Sequence, residues 1–320
     1  MVDSGPTSFP AFRPPLVPLT KPVDDYNPDI ARRDLKYYIF DWDDNILRMP
    51  TYIHLERRLR DGSWVPHLVS TALFSVIRND TVNYRPPQGQ WEKAFVEFRD
   101  PAERTESKFL ADARTAIDRL LEGVEKQPPS FNTFRKILRE GRIFAIVTAR
   151  GHDPATLRKG VEMFIDRILS DAEKAEMVRN LRGWIVCYEG EDANAALTDE
   201  QVVDNYLSMN RYHAVTNPAF IAAVKAQGTP GAERSETRKQ FAILDFLEWL
   251  FRMIERIGAR KPISVGFSDD DPGNVAAVAD FIRHNLAERF PSVKFVVYDT
   301  SDPDVEKGHK LVVSGQLPLF

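Results

Sequence analysis

Cysteine is nearly absent from this chain of 320 residues. The single Cys187 excludes an intrachain disulfide and any zinc or redox site built on paired thiols. It lies in the apolar run Trp184–Tyr188, which reads as a buried strand, so Cys187 reads as core and not as a nucleophile. Histidine is sparse too. The six histidines (His54, His67, His152, His213, His284 and His309) show no spacing that would bring several to one metal. The patterns GxxxxGK[ST], HExxH and GxSxG are all missing. No apolar run approaches the roughly 18 residues of a membrane span, and the first residues do not read as a secretion signal. The expected compartment is the cytoplasm, with no membrane partner. A net charge of −4 leaves no basic excess for coating nucleic acid.

Aspartate, by contrast, sits at conspicuous places. In Lys36–Asn45, KYYIFDWDDN, the apolar run Tyr37, Tyr38, Ile39, Phe40 stops at Asp41, and Asp43 and Asp44 follow at once. Clustered carboxylates repel one another and at the carboxyl edge of a buried strand they usually await a cation, while a polar turn after the strand is the equal alternative for this segment alone. Arg142–Arg150, RIFAIVTAR, is a second short apolar run, ending in Thr148. Pro262–Asn274, PISVGFSDDDPGN, is a third, ending in Asp269, Asp270 and Asp271. Each has strand length and each precedes a helical pattern. One polar strand end is ordinary, whereas three at the same end of three strands point to a site.

With those residues in view, the chain resembles the haloacid dehalogenase (HAD) superfamily of aspartate-nucleophile phosphohydrolases. The Asp-x-Asp motif after the first strand is matched by Asp41-Trp42-Asp43, the strand ending in Ser or Thr by Thr148, and the acidic group after a later strand by Asp269-Asp270-Asp271. The motif order is kept across residues 36–274. Asn45 departs from the usual Thr or Val, but Asn can make a similar local bond to the backbone. The resemblance implies an α/β fold: a Rossmann-like three-layer core with a parallel sheet, carrying inserted, mainly helical cap segments. It also implies a motif lysine upstream of the last acidic group, for which Lys239 has suitable spacing and Lys225 is the runner-up.

The chemistry follows from charge. Attack on an anionic phosphate ester requires neutralisation, and an Asp-rich site without Cys or His clusters suits Mg²⁺ as the cofactor. Asp41 is assigned as nucleophile through an aspartyl-phosphate, Asp43 as general acid and base, Thr148 as a donor to phosphate oxygen and Lys239 as the compensating cation. Metal ligands are drawn from Asp41, Asp269 and Asp270, and the resemblance implies the backbone carbonyl of Asp43 as a further one. Asp44 reads as a solvated or capping residue, and Asp271 as the cap of the next helix. Arg150 and His152 lie just past Thr148, where they either meet a substrate or serve as ordinary surface residues.

The expected activity is a Mg²⁺-dependent phosphomonoesterase. A phosphotransferase or mutase with the same intermediate, and a non-catalytic phospho-ligand-binding module, are the alternatives. The expected partner is a phosphorylated small molecule, with a nucleic-acid end or a phosphoprotein as further options. Residues 1–33, rich in proline, read as an extended arm. Residues 34–45 and 131–320 form the core, 46–130 an inserted cap, and 189–234 a candidate second insertion. Helices are expected over 108–121, 132–140, from 154, over 235–257 with Gly258 as its cap, and over 274–290, followed by a strand at 293–298. The aromatics Trp64, Phe74, Trp91, Phe95 and Phe98 read as the cap's own core.

Overall fold

A computed structural model describes residues 33–102, 106–258 and 261–314, so the proline-rich arm lies outside the described residues except for Arg33. The strands in chain order are β1 (Leu35–Phe40), β2 (Ile53–Arg58), β3 (Trp64–Val69), β4 (Tyr84–Arg85), β5 (Phe144–Thr148), β6 (Arg211–Ala214), β7 (Ile263–Asp269), β8 (Val293–Asp299) and β9 (His309–Ser314). The helices are α1 (Thr71–Ile77), α2 (Trp91–Ala94), α3 (Lys108–Leu121), α4 (Phe131–Arg139), α5 (Pro154–Ile168), α6 (Asp171–Glu189), α7 (Glu191–Ala195), α8 (Asp199–Met209), α9 (Pro218–Ala226), α10 (Ser235–Arg256), α11 (Pro272–Phe281) and α12 (Ala287–Arg289).

The main sheet has the order β6-β5-β1-β7-β8-β9. Its first five strands run parallel, and β9 closes the edge antiparallel to β8. All five residues of β5 are buried, as a strand covered on both faces requires. Phe134 of α4 and Phe164 of α5 meet each other, and Phe134 meets Phe40 and Phe144 of the sheet. Helices α10 and α11 pack together and reach β5 and β7. The arrangement is α/β and consistent with a Rossmann-like three-layer fold. From β1 the chain moves outward through β5 and β6, then returns to β7 on the other side of β1. Ligands of open α/β sheets collect at such a reversal, beyond the carboxyl ends of the strands.

Local chemistry accounts for the helix limits that frame this sheet. Ser170 and Glu173 form a capping box at the start of α6, and Gly190, at φ 94°, stops it. Asp271 caps α11 by accepting the Gly273 N–H at 2.7 Å. Ala242, Ile243, Phe246, Leu247, Leu250 and Ile254 give α10 one buried stripe. It ends at Gly258, whose φ of 62° suits a residue without Cβ.

Three expectations are corrected. Trp184–Tyr188 is the last part of α6 and not a strand: a five-residue apolar run fits either element, and the capping box upstream decides for helix. The strand in that place is β6, RYHA, a short and half-polar edge strand that leaves no apolar signal. Because β6 pairs with β5, residues 189–234 contribute to the main sheet and are no mere insertion. The inserted cap is also not mainly helical over 53–85, where β3-β2-β4 form an antiparallel sheet. Ile53, Leu55, Val69, Ala94 and Phe98 form a separate buried cluster with Phe74, Ile77, Tyr84 and Phe95 packed against it, so most of the aromatics do build the cap's own core. Helix α3 instead packs on α5 and puts Phe109, Ala113, Ala116 and Ile117 into the main core.

The contact between α3 and α5 depends on Gly160. A Cβ there would stand 2.5 Å and 2.9 Å from the Phe109 ring, and 3.5 Å from Trp42. Alanine is the better helix former by about 1 kcal/mol, yet Gly160→Ala is expected to destabilise the protein by about 1–3 kcal/mol through overpacking. The check is a lower urea midpoint at unchanged slope.

Candidate active site

Three adjacent strands end at one place. Asp41 follows β1, Thr148 closes β5 and Asp269 closes β7, with β1 in the middle. The Asp41 N–H donates to the Ser268 carbonyl at 2.9 Å, continuing the pairing of β1 with β7 one step further. Asn45, fully buried, then staples the turn. Its Nδ2 donates to the Asp41 carbonyl at 3.0 Å and to Ser268 Oγ at 3.0 Å, while its Oδ1 accepts from Thr300 Oγ1 at 2.9 Å. That local backbone bond is the job foreseen for it. Asp44 has φ 53°, so the chain reverses sharply directly after Asp43.

Lys239 lies on α10, and its Nζ donates to Asp41 Oδ1 at 3.0 Å and to Asp269 Oδ2 at 2.7 Å. With 2 % exposure it is a buried cation shared by two carboxylates. Both carboxylates hold it protonated against burial, above the usual lysine range. Lys225, the other lysine considered, is on the exposed surface of α9. Asp269 is fully engaged, because its Oδ1 also accepts the Asp271 N–H at 3.0 Å and Asn274 Nδ2 at 3.1 Å.

Lys239 cannot balance its surroundings. Asp41, Asp44, Asp269 and Asp270 gather here, and among the described residues their only ion pairs are the two to Lys239. Burial, together with the neighbouring Asp269 and Asp43 charges, outweighs Lys239 and pushes the Asp41 carboxyl up to about 8. Burial and the Asp41, Asp269 and Asp44 charges push Asp270 well above the usual range. Burial also raises Asp44, which is part-buried and accepts from Thr71 Oγ1 of α1 at 2.7 Å, while the cap of α1 is Ser70. Uncompensated oxygen donors of this kind fit a hard divalent cation. Asp41 and Asp270 suit that role better than Asp269, which three donors already occupy. No group of three or more His, Cys, Asp or Glu among the described residues is arranged around a common metal position. A cation held here would need water and ligand oxygens to complete its shell, as Mg²⁺ usually does.

Asp43 stands apart. Arg150 grips it as a fork, Nη2 to Oδ1 at 2.5 Å and Nε to Oδ2 at 2.8 Å, and Thr148 Oγ1 reaches Oδ2 at 3.5 Å. Arg150 is fully buried, as is His152, so neither is a surface residue. Arg150 Nη2 also donates to Thr51 Oγ1 at 2.7 Å, and Thr51 donates to Asp112 Oδ2 at 2.6 Å. The Phe98 and Phe109 rings lie 4.8 Å and 5.3 Å from the guanidinium carbon. Burial and the Arg150 charge push His152 down to about 4, so it is neutral at physiological pH. Neither of its ring nitrogens has a hydrogen-bond partner among the described residues.

Comparison of the chain with protein-family models, with curated proteins and with solved structures gave no match in any of the three. The residues themselves therefore carry the functional argument.

Several of them had drawn no attention in the sequence. Thr71 on Asp44 and Arg78 on Asp271, at 3.4 Å, bring the cap directly across the acidic cluster. Thr51 and Asp112 support Arg150. Of these, only Asp112 leaves a trace in the sequence, as a carboxylate inside the apolar stripe Phe109, Ala113, Ala116.

The raised Asp41 carboxyl gives a pH dependence. Its folded value lies above the ordinary one, so the folded state binds the extra proton. That contribution is complete below about pH 4 and is lost as pH rises to about 8. Without divalent cations, the urea midpoint should fall between about pH 5 and about pH 8, and fall less in Asp41→Asn.

Proposed function

We propose that this protein is a Mg²⁺-dependent phosphomonoesterase of the HAD type, working through an aspartyl-phosphate on Asp41. The observation that carries the reading is the buried Lys239, bonded at once to Asp41 beyond the central strand and to Asp269 beyond its neighbour. A lysine clamped between two carboxylates orients Asp41 and leaves its second oxygen for attack.

Bound Mg²⁺, held by Asp41 and Asp270, would offset the repulsion between the attacking carboxylate and the phosphate. Asp41 forms a new P–O bond as the ester P–O bond breaks. Once released from Arg150, Asp43 takes up a proton from solvent, gives it to the leaving alkoxide and later takes one from the water that attacks the phospho-enzyme. Both Asp43 oxygens are engaged by Arg150, so this role requires the fork to open. An incoming phosphate competes for the same guanidinium, and Thr148 Oγ1 stands beside it as a further donor. The cap contacts through Thr71 and Arg78, and the 6 % exposure of Asp41, favour a phosphorylated small molecule over a polymer or a protein.

Mg²⁺-dependent phosphate release from p-nitrophenyl phosphate, from small phosphorylated metabolites and nucleotides, and from a 3′-phosphorylated oligonucleotide tests this. Small esters should turn over fastest. Faster release from the oligonucleotide would reverse the substrate assignment, and release from none of them would remove the hydrolase reading.

A further inference from the structure

An ester whose phosphate reaches Asp41 places the rest of its body under the cap, and α1 is the cap helix that touches the acidic turns. Thr71 and Arg78 are two helical turns apart and so share one face of α1. Thr71 Oγ1 donates to Asp44 Oδ2 at 2.7 Å, and Arg78 Nη1 approaches Asp271 Oδ2 at 3.4 Å. The helix therefore reaches from the turn after β1 to the turn after β7. Asp271 is close to the nucleophile. Its N–H donates to Asp269 Oδ1 at 3.0 Å, Asp269 Oδ2 accepts from Lys239 at 2.7 Å, and Lys239 donates to Asp41 Oδ1 at 3.0 Å.

The cations of this region differ in what they are free to do. Lys239 is held between two carboxylates, and Arg150 is fully buried and forked on Asp43. Arg78 is in neither position. Its side chain is 44 % exposed, and its contact with Asp271, at 3.4 Å, is long and uses one nitrogen. Exposed pairs of this kind contribute little to stability. Asp271 keeps the Gly273 N–H, at 2.7 Å, if Arg78 leaves it. Arg48, part-exposed, places a second positive charge near Asp44. A guanidinium with unused donors matches a carboxylate or a further phosphate, which it can hold through two N–H groups. Without such a cation, the carboxylates of Asp44, Asp270 and Asp271 would repel a second anionic group on the incoming ester.

We propose that Arg78 is a specificity-determining residue of this site, and that it selects phosphate esters carrying a second anionic group by exchanging Asp271 for that group. The inference rests on the phosphatase reading and deepens it by naming the substrate class. Arg78 does not touch the reacting atoms, so its effect falls on KM and not on kcat.

Steady-state phosphate release by the full-length protein with Mg²⁺ tests it on two matched pairs: glycerol 3-phosphate against 3-phosphoglycerate, and fructose 6-phosphate against fructose 1,6-bisphosphate. The second anionic group is a carboxylate in the first pair and a phosphate in the second. The doubly anionic member should have at least about tenfold higher kcat/KM in one pair or both, the value of one charged hydrogen bond. The pair that shows the larger preference tells carboxylate from phosphate. Arg78→Gln should remove the preference by raising KM about tenfold, and Arg78→Lys should restore part of it. Both variants should keep the urea midpoint of the parent, because the pair with Asp271 is exposed. Equal turnover within both pairs, or turnover of p-nitrophenyl phosphate alone, would overturn this inference and leave the hydrolase reading intact. A preference that survives Arg78→Gln would overturn the role of Arg78. Release from none of the five esters would remove the hydrolase reading and this inference with it.

Discussion

Asp41→Asn should lower Mg²⁺-dependent phosphate release by roughly four orders of magnitude or more, because the amide cannot form the acyl-phosphate bond. The substitution is nearly isosteric, and the amide oxygen can still accept from Lys239. It also removes a charge that burial and Asp269 make unfavourable at neutral pH. The variant should therefore be at least as stable as the parent near pH 8 while inactive. That pairing separates loss of chemistry from loss of fold. Steady-state release of phosphate, read beside a urea titration of the same sample, provides both numbers.

Lys239→Met should have the largest effect on stability. The substitution keeps the length of the side chain and removes the cation bonded to Asp41 and Asp269. Removing one partner from a buried ion pair costs about 3–5 kcal/mol, because the remaining charge is buried without compensation. The loss should be greatest near neutral pH and smaller in acid, where the carboxylates take up protons instead. Combining Lys239→Met with Asp269→Asn should recover part of the loss, since fewer unpaired charges remain. A double-mutant cycle on urea midpoints measures that coupling. Simple additivity of the two changes would mean that the bonds to Lys239 contribute little.

The chemistry-bearing strand ends could be read from the sequence because aspartate and threonine interrupt apolar runs there. Asp41, Thr148 and Asp269 stood out by that contrast, while the lysine was sought only because the family resemblance implied one upstream of the last acidic group, where Lys239 had suitable spacing. The pairing of Arg150 with Asp43 could not be read in this way. Nothing in the sequence TAR tells a buried guanidinium from an exposed one, and the groups that make its burial tolerable, Thr51, Phe98 and Phe109, come from distant segments. The same limit hid β6, whose polar residues are tolerated at a sheet edge, and made Trp184–Tyr188 read as a strand. Five apolar residues fit either period, and only the capping box fourteen positions upstream settles the matter. The antiparallel cap sheet escaped for a related reason. Its strands are half-exposed and carry Arg57, Arg58 and Pro66, so no clean alternation appears.

One refinement came from geometry alone. Asp269 appeared in the sequence as an equal candidate for holding the metal, yet it is bonded to Lys239, to the Asp271 N–H and to Asn274. It is better described as the anchor that positions Lys239, which leaves Asp270 beside Asp41 as the carboxylate suited to a cation.

Acid-quenched mass spectrometry of the protein during turnover of p-nitrophenyl phosphate with Mg²⁺ addresses the central claim most directly. The account predicts one phosphoryl group on the peptide that contains Asp41, labile to hydroxylamine and absent from Asp41→Asn. Turnover with the phosphoryl group on a different residue, or undiminished turnover in Asp41→Asn, would contradict it.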